Sequence, residues 1–248
     1  MYFNPSDRPQ LKQRAKAAMR KVSPNIYLVS VVCLLLTTAP NFVINFPTVR
    51  LMFRADSLER AMEIYQNSNL SGGFALSLAV LAMNVFLTLV TCGWQLYTLR
   101  ASRGEDPGSF DTLFACFRQF WRFLCVQILM DLFIFLWTML FIIPGIIASL
   151  AYSQTIYIML DHPDMSALDA IRASKQLMKG HKWEYFVLGL SFIGWSILSS
   201  FTLGLLSIWL TPYQYVTFAN YYNGLVNWTG APEEAPAGQT SPDEWWKD

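Results

Sequence analysis

Asp131 is the one acidic residue inside the long apolar stretches of this chain. A carboxylate surrounded by hydrocarbon is costly, and where one persists it marks an ion or proton path, or a hydrogen-bond partner within a helix bundle. Gln127, one turn earlier, together with Asn84, Gln154 and Gln214 from other apolar stretches, could line a polar cavity around it. Neutral amides can bind a solute without burying a full charge. They also serve as interhelical hydrogen bonds, typically around 1 kcal/mol or less each, and packing is the favoured reading. A second set is basic: Arg172, Lys175, Lys179 and Lys182 occupy successive turns of one short helix beside Trp183. These side chains can grip anionic lipid headgroups, each charge contributing on the order of 1 kcal/mol near an anionic surface. They can also do no more than set topology.

Other chemistries lack their residue patterns. The two histidines are His162 and His181. Asp161 and Asp164 flank His162, but Pro163 interrupts them, and no Cys or His pair has ligand spacing, so neither a metal nor another cofactor is expected. Cys33, Cys92, Cys116 and Cys125 form no CxxC and read as free core thiols. There is no nucleophile motif, no phosphate-binding glycine loop and no catalytic carboxylate pair, so an enzyme is not expected. Ser196, Ser200 and Gly204, four residues apart, form a small-residue strip that admits close approach of another helix. A contact within the chain is preferred there over dimerisation.

The elements that would position these groups follow from composition. Of 248 residues, 54% are hydrophobic and only 14% charged, against about 25% charged in a soluble domain. Long windows hold no charge while Lys and Arg cluster between them, which is the pattern of a membrane chain. The balance of 18 basic against 17 acidic residues argues against a nucleic-acid partner. An all-α, six-span protein is expected, with spans near 26–46, 74–99, 123–143, 146–160, 183–200 and 203–222. Pro144 and Gly145 form a turn pair after the third span. The fourth is short and needs a thinned bilayer or a borrowed turn.

Orientation follows from the basic residues. Arg8, Lys12, Arg14, Lys16, Arg20 and Lys21 precede the first span; Arg100, Arg103, Arg118 and Arg122 lie between the second and third; the four on the short helix lie between the fourth and fifth. Only Arg50, Arg54 and Arg60 fall on the other side, offset by Asp56, Glu59 and Glu63 in a short helix opened by Asp56. Both termini are therefore expected in the cytoplasm, the chain crossing the membrane several times. The first apolar run is long for a signal peptide, and the one cleavage point, after Ala39, precedes Pro40. A signal-anchor span is expected instead. Three regions result: a basic amphipathic segment over 1–25, a membrane domain over 26–226, and a disordered acidic tail over 227–248.

An amphipathic helix precedes each odd span. Leu11, Ala15, Ala18, Met19 and Val22 recur at helical spacing before the first, which reads as an interfacial helix on anionic lipid. Phe110, Leu113, Phe114, Phe117, Phe120 and Trp121 repeat the device before the third. Before the fifth, Ser166 and Asp169 form a capping-box-like start, Leu168, Ile171 and Met178 supply apolar contacts, and Gly180 ends the helix. The unit of interfacial helix, span, outer turn and span thus recurs three times, as helix hairpins. Aligning Gln95, Gln154 and Gln214 as an internal repeat and treating them as ordinary interface residues are equally supported.

The second half carries a more specific signal. Leu136-Trp137-Thr138, Ile143-Pro144-Gly145-Ile146-Ile147, Tyr152-Ser153-Gln154, Tyr157-Ile158, Ala170-Ile171-Arg172-Ala173-Ser174, Met178-Lys179-Gly180-His181-Lys182-Trp183, Leu190-Ser191-Phe192-Ile193-Gly194-Trp195, Thr202-Leu203-Gly204 and Thr211-Pro212-Tyr213 follow in order. Over roughly residues 92 to 226 this series resembles the bacterial integral membrane family catalogued as domain of unknown function 975, found mainly in Gram-positive bacteria. Looser similarity extends to membrane domains attached to some glycerophosphodiester phosphodiesterases. The resemblance implies six spans and carries over no activity or site. The expected function is a non-enzymatic module engaging anionic lipid, or a protein partner, at the cytoplasmic face, in lipid handling or envelope maintenance. A small transporter with a polar path at Asp131 is the alternative, and a homo-oligomer is left open.

Overall fold

The structure is a computed structural model that describes residues 8–22, 26–38, 57, 59–60, 62–63, 73–202 and 204–229. Among these residues there is no strand. The helices are α1 (Arg8–Lys21), α2 (Ile26–Thr38), α3 (Gly73–Arg103), α4 (Phe120–Leu140), α5 (Ile142–Tyr152), α6 (Thr155–Asp161), α7 (Ala167–Leu177), α8 (Lys182–Phe201) and α9 (Ser207–Thr229). A 3-10 helix, Phe110–Gln119, leads directly into α4.

Among the described residues, four stretches are long and apolar enough to cross a membrane: Val80–Arg103, Phe110–Leu140, Ile142–Asp161 and Lys182–Phe201. They correspond to the second through fifth expected spans. The first expected span is helical only over Ile26–Thr38, and its remainder lies outside the described residues. The sixth is α9, displaced toward the C-terminus relative to 203–222 and more polar than the four. Residues 227–229, assigned above to the tail, are helical, and the tail beyond them lies outside the described residues. In the segment before α3, residues 59–60 and 62–63 are helical and the Arg60 N–H donates to Ser57 Oγ at 3.3 Å. Asp56, expected to open that helix, lies outside the described residues.

The turn after α4 sits earlier than the Pro-Gly pair suggests. Phe141 adopts extended backbone (φ −159°, ψ 147°), and Pro144 lies in the first turn of α5. A missing N–H costs nothing there, because first-turn donors have no partner in the helix. Gly145 is needed for contact: a Cβ would stand 2.2 Å from Thr138 Oγ1 and 3.0 Å from Thr138 Cα. The fourth span is not one helix, since it breaks at Ser153 and Gln154 between α5 and α6. Ser174 of α7 fills this break. Its hydroxyl donates to Ala151 O at 2.8 Å and accepts from the Gln154 N–H at 3.2 Å, satisfying two buried backbone groups.

Helix α9 is central. Val216, Thr217, Ala219, Tyr221, Tyr222 and Leu225 are fully buried, and α1, α3 and α8 all pack against it. Pro212 interrupts its hydrogen-bond ladder, leaving the Ile208 carbonyl without its usual donor, and Ser30 Oγ of α2 reaches that carbonyl at 3.5 Å. At Gly93 of α3 the 3-10 helix crosses so closely that a Cβ would lie 2.0 Å from Leu113 O. Helix α4 differs in kind: Ile128, Leu132, Phe135, Leu136 and Met139 form an exposed apolar stripe. In water such a surface would be an aggregation liability, whereas it suits contact with lipid.

Candidate functional site

The amides and Asp131 do not converge. Asp131 lies on the exposed stripe of α4, where Gln127 Nε2 donates to its Oδ1 at 3.0 Å, so one pair is brought together as the sequence spacing suggested. Asn84 Nδ2 donates instead to Val80 O of its own helix at 2.8 Å. Gln154 is fully buried at the break between α5 and α6, where its Nε2 donates to Ser153 Oγ at 2.9 Å and its Oε1 has no partner among the described residues. Gln214 approaches Ser196 Oγ at 3.5 Å and lines a shallow hollow with Ser199, Ser200 and Ser207. Gly204 borders the same hollow but lies in the turn beyond α8 with φ +83°, so the expected strip ends at Ser200 and admits no close helix approach at Gly204. Gln95 and Gln214 lie inside continuous helices while Gln154 lies at a break, so the three aligned positions occupy different local structures.

The two described interfacial helices at the ends of the series turn their apolar faces inward. On α1, Leu11, Ala15 and Met19 are buried. Ala15 and Met19 pack with Trp94 and Tyr97 of α3, Leu113 and Val216, so protein, not lipid, covers this face. The expectation of an apolar face resting on lipid is corrected accordingly. On α7, Ala170, Ile171, Ala173, Ser174 and Leu177 are buried. The capping box is present: the Asp169 N–H donates to Ser166 Oγ at 3.2 Å, and Gly180 just beyond the helix has φ +89°. Cys33, Cys92 and Cys116 are buried thiols, whereas Cys125 is exposed on α4, contrary to its expected place in the core.

What α7 leaves outside is basic. Arg172 and Lys175 are exposed on it, Lys179 is exposed in the turn beyond Leu177, and Lys182 is half-buried as the first residue of α8, so the four do not share one short helix as expected. Arg172 Nη1 bonds Asp169 Oδ1 at 3.2 Å, with the arginine side chain 75% exposed, so this pair holds little energy and leaves the guanidinium available. Trp183, adjoining, is 71% exposed. At the same junction His181 Nδ1 lies 3.1 Å from Glu184 Oε2.

Two arginines counted above only for topology are used structurally. Arg103 donates through both terminal nitrogens to the Asp161 carboxylate, at 2.8 and 2.6 Å. Tyr222 OH donates to the same carboxylate at 2.8 Å, and Arg103 Nε donates to Asn223 Oδ1 at 2.9 Å. This network ties the ends of α3 and α6 to α9. Arg122 donates to the carbonyls of His162, Pro163 and Met165, closing the loop before α7. No spacing rule joins residues this far apart in sequence; the only signal was an acid and a tyrosine near a span end.

A further cavity, about 460 Å³, lies beside α1. Lys16 and Arg20 stand on it together with Tyr27, Trp195, Trp209 and Tyr213. Lys16 Nζ lies 5.7 Å above the Tyr213 ring, and Lys12 Nζ 4.7 Å above Phe192. Burial, with Arg8 and Lys16 nearby, pulls the Lys12 ammonium below the ordinary lysine range.

The stretch from the end of α4 through α9 contains the break filled by Ser174, the basic face of α7 and the central helix. Residues 139–228 match the model of a protein family of unknown function, DUF975. The match covers this stretch and leaves the first 138 residues outside it. The DUF975 segment supplies Asp161, Ser174, the α7 basic face and Trp195, Trp209 and Tyr213 of the cavity, while Lys16, Arg20, Tyr27, Arg103 and Arg122 come from outside it. No curated protein and no solved structure matches the chain, and the looser resemblance to phosphodiesterase membrane domains has no match behind it.

Proposed function

We propose that this protein is a non-enzymatic membrane module that engages anionic lipid at the cytoplasmic face of a bacterial plasma membrane, with both termini on that side. The observation that carries this reading is the division of labour on α7. Ala170, Ile171, Ala173 and Leu177 are consumed by packing, on a helix that meets α4, α5 and α6, while Arg172 and Lys175, with Lys179 in the turn that follows, remain exposed next to exposed Trp183. An aromatic at the headgroup level beside a basic surface is the pattern that binds anionic interfaces. Six crossings, with α2 and α9 completing the set, belong to the same reading. A role in lipid handling or envelope maintenance follows from it.

The test is direct. The full chain is purified in detergent and its retained phosphatidylglycerol and phosphatidylcholine are quantified after exposure to an equimolar mixture. Replacing Arg172, Lys175 and Lys179 by Gln is expected to lower the preference for phosphatidylglycerol about a hundredfold, at about 1 kcal/mol per charge. An unchanged preference in a correctly inserted variant would overturn the reading.

A further inference from the structure

Four cations of α1, Arg8, Lys12, Lys16 and Arg20, recur at a strict four-residue interval and so stand in one row along the helix. Like charges at this spacing repel, and α1 contains no acidic residue. Among the described residues no ion pair joins any of the four to a carboxylate. What Lys12 and Lys16 meet instead are the π faces of Phe192 and Tyr213, themselves in edge-to-face contact at 5.6 Å. The row runs onto the cavity of about 460 Å³, where Lys16 and Arg20 face Tyr27, Trp195, Trp209 and Tyr213, with Leu206 and Leu210 deepening it. Trp195 and Trp209 are each more than half exposed, so the cavity opens sideways between apolar rings.

We infer that this cavity is a discrete site for one anionic phospholipid, its phosphodiester held between Lys16 and Arg20 and its acyl chains laid against Trp195 and Trp209. The inference rests on the anionic-lipid reading above and adds a second, separate location with a stoichiometry. Charge complementarity selects an anion, since the row carries repulsion that a phosphate relieves. The aromatic and aliphatic walls select a lipid over free phosphate, because inorganic phosphate would leave them in contact with water. The site is also composite: its cations and Tyr27 come from α1 and α2, outside the DUF975 segment, and its other walls from α8, α9 and the turn between them, within it. A lipid seated here would pin the N-terminal helix to the remainder of the bundle.

The experiment uses the full chain in mild detergent and counts bound lipid by native mass spectrometry. Wild type is titrated with phosphatidylglycerol, with phosphatidylcholine, and with phosphatidylglycerol in the presence of millimolar inorganic phosphate. One tightly held phosphatidylglycerol is expected, resistant to inorganic phosphate. The double variant Lys16→Gln, Arg20→Gln is expected to hold it about thirtyfold more weakly, from two charges lost. The charge-keeping variant Lys16→Arg, Arg20→Lys should retain binding, and Trp209→Ala should weaken it without altering net charge. The α7 triple variant should leave this one lipid in place while reducing the looser population, so the two sites fail separately. Equal binding of phosphatidylcholine, displacement by inorganic phosphate, or an unaffected double variant would each overturn the inference. Should the double variant not fold, wild type alone still decides through its lipid preference and the phosphate competition.

Discussion

Helices α9 and α4 invert the ordinary association between hydropathy and burial. Helix α4 is the more apolar and the more exposed, showing Ile128, Leu132, Phe135 and Leu136 to its surroundings. Helix α9 carries Tyr213, Gln214, Thr217, Asn220 and Asn223, and it is the one the others enclose. In water the apolar face drives inward. In a bilayer the surroundings are as apolar as the side chains, so no such drive exists and polar groups gain most from being enclosed where they find partners. Tyr222 and Asn223 find Asp161, Arg103 and Ser102 in this way. The sequence windows located both helices, but hydropathy alone does not tell which of them the others enclose.

The steepest test concerns α3, which packs on α9 and on the 3-10 helix leading into α4. Gly93→Ala would place a methyl group 2.0 Å from the Leu113 carbonyl, and neither atom is the movable end of a side chain. Backbone must shift, at a cost of about 3 kcal/mol. The buried thiols Cys33, Cys92 and Cys116 give a readout, since a thiol-reactive dye labels them on thermal unfolding once exposed Cys125 has been changed to Ser. An unchanged midpoint would mean that the 3-10 helix does not cross α3 at Gly93.

Next comes the network around α9. Asp161→Asn leaves Arg103 without its carboxylate partner and weakens the bond from Tyr222, for an expected loss of about 2 kcal/mol. The same dye assay checks it. Asn223→Ala should cost less, because it removes bonds to Arg103 and Ser102 while leaving the ion pair whole. If the two variants were equally mild, α9 would not owe its position to these contacts.

Ser174→Ala probes the break in the fourth span and is expected to cost about 1 to 2 kcal/mol, since the Gln154 N–H and the Ala151 carbonyl both lose their partner in a buried place. A continuous α5 and α6 helix would be indifferent to it. The break was not legible in sequence, where residues 146 to 160 read as one apolar run with no proline or glycine after Gly145. Local periodicity reported the helix and its amphipathic neighbour α7, including the Ser166 cap, because those are set by residues three or four apart. It could not report that α7 inserts a hydroxyl into another element twenty residues earlier, nor that the apolar face of α1 meets α3 and not lipid. Amphipathicity states that a face is covered without naming what covers it. The basic face of α7 was legible for the opposite reason: exposed charge requires no partner. The Asp131 cluster was legible only as far as Gln127, the one member within a helical turn.

The smallest expected effects lie on the exposed stripe of α4, and they decide what that stripe faces. Leu132→Ala and Leu136→Ala should each shift stability by no more than about 0.5 kcal/mol, because lipid or detergent replaces the lost contacts and no cavity forms. Asp131→Asn should behave alike. Its Gln127 partner donates through Nε2, and an asparagine Oδ1 accepts that bond as the carboxylate does. A drop of about 2 kcal/mol in Asp131→Asn alone, with both leucine variants silent, would mean that the carboxylate holds a charged partner across the exposed face. Losses in all three would mean that a protein surface covers the stripe, and α4 would then be enclosed in the assembled state as α9 is within the chain. Silence in all three leaves α4 as the wall that meets lipid, and Asp131 as a polar group held by its own helix.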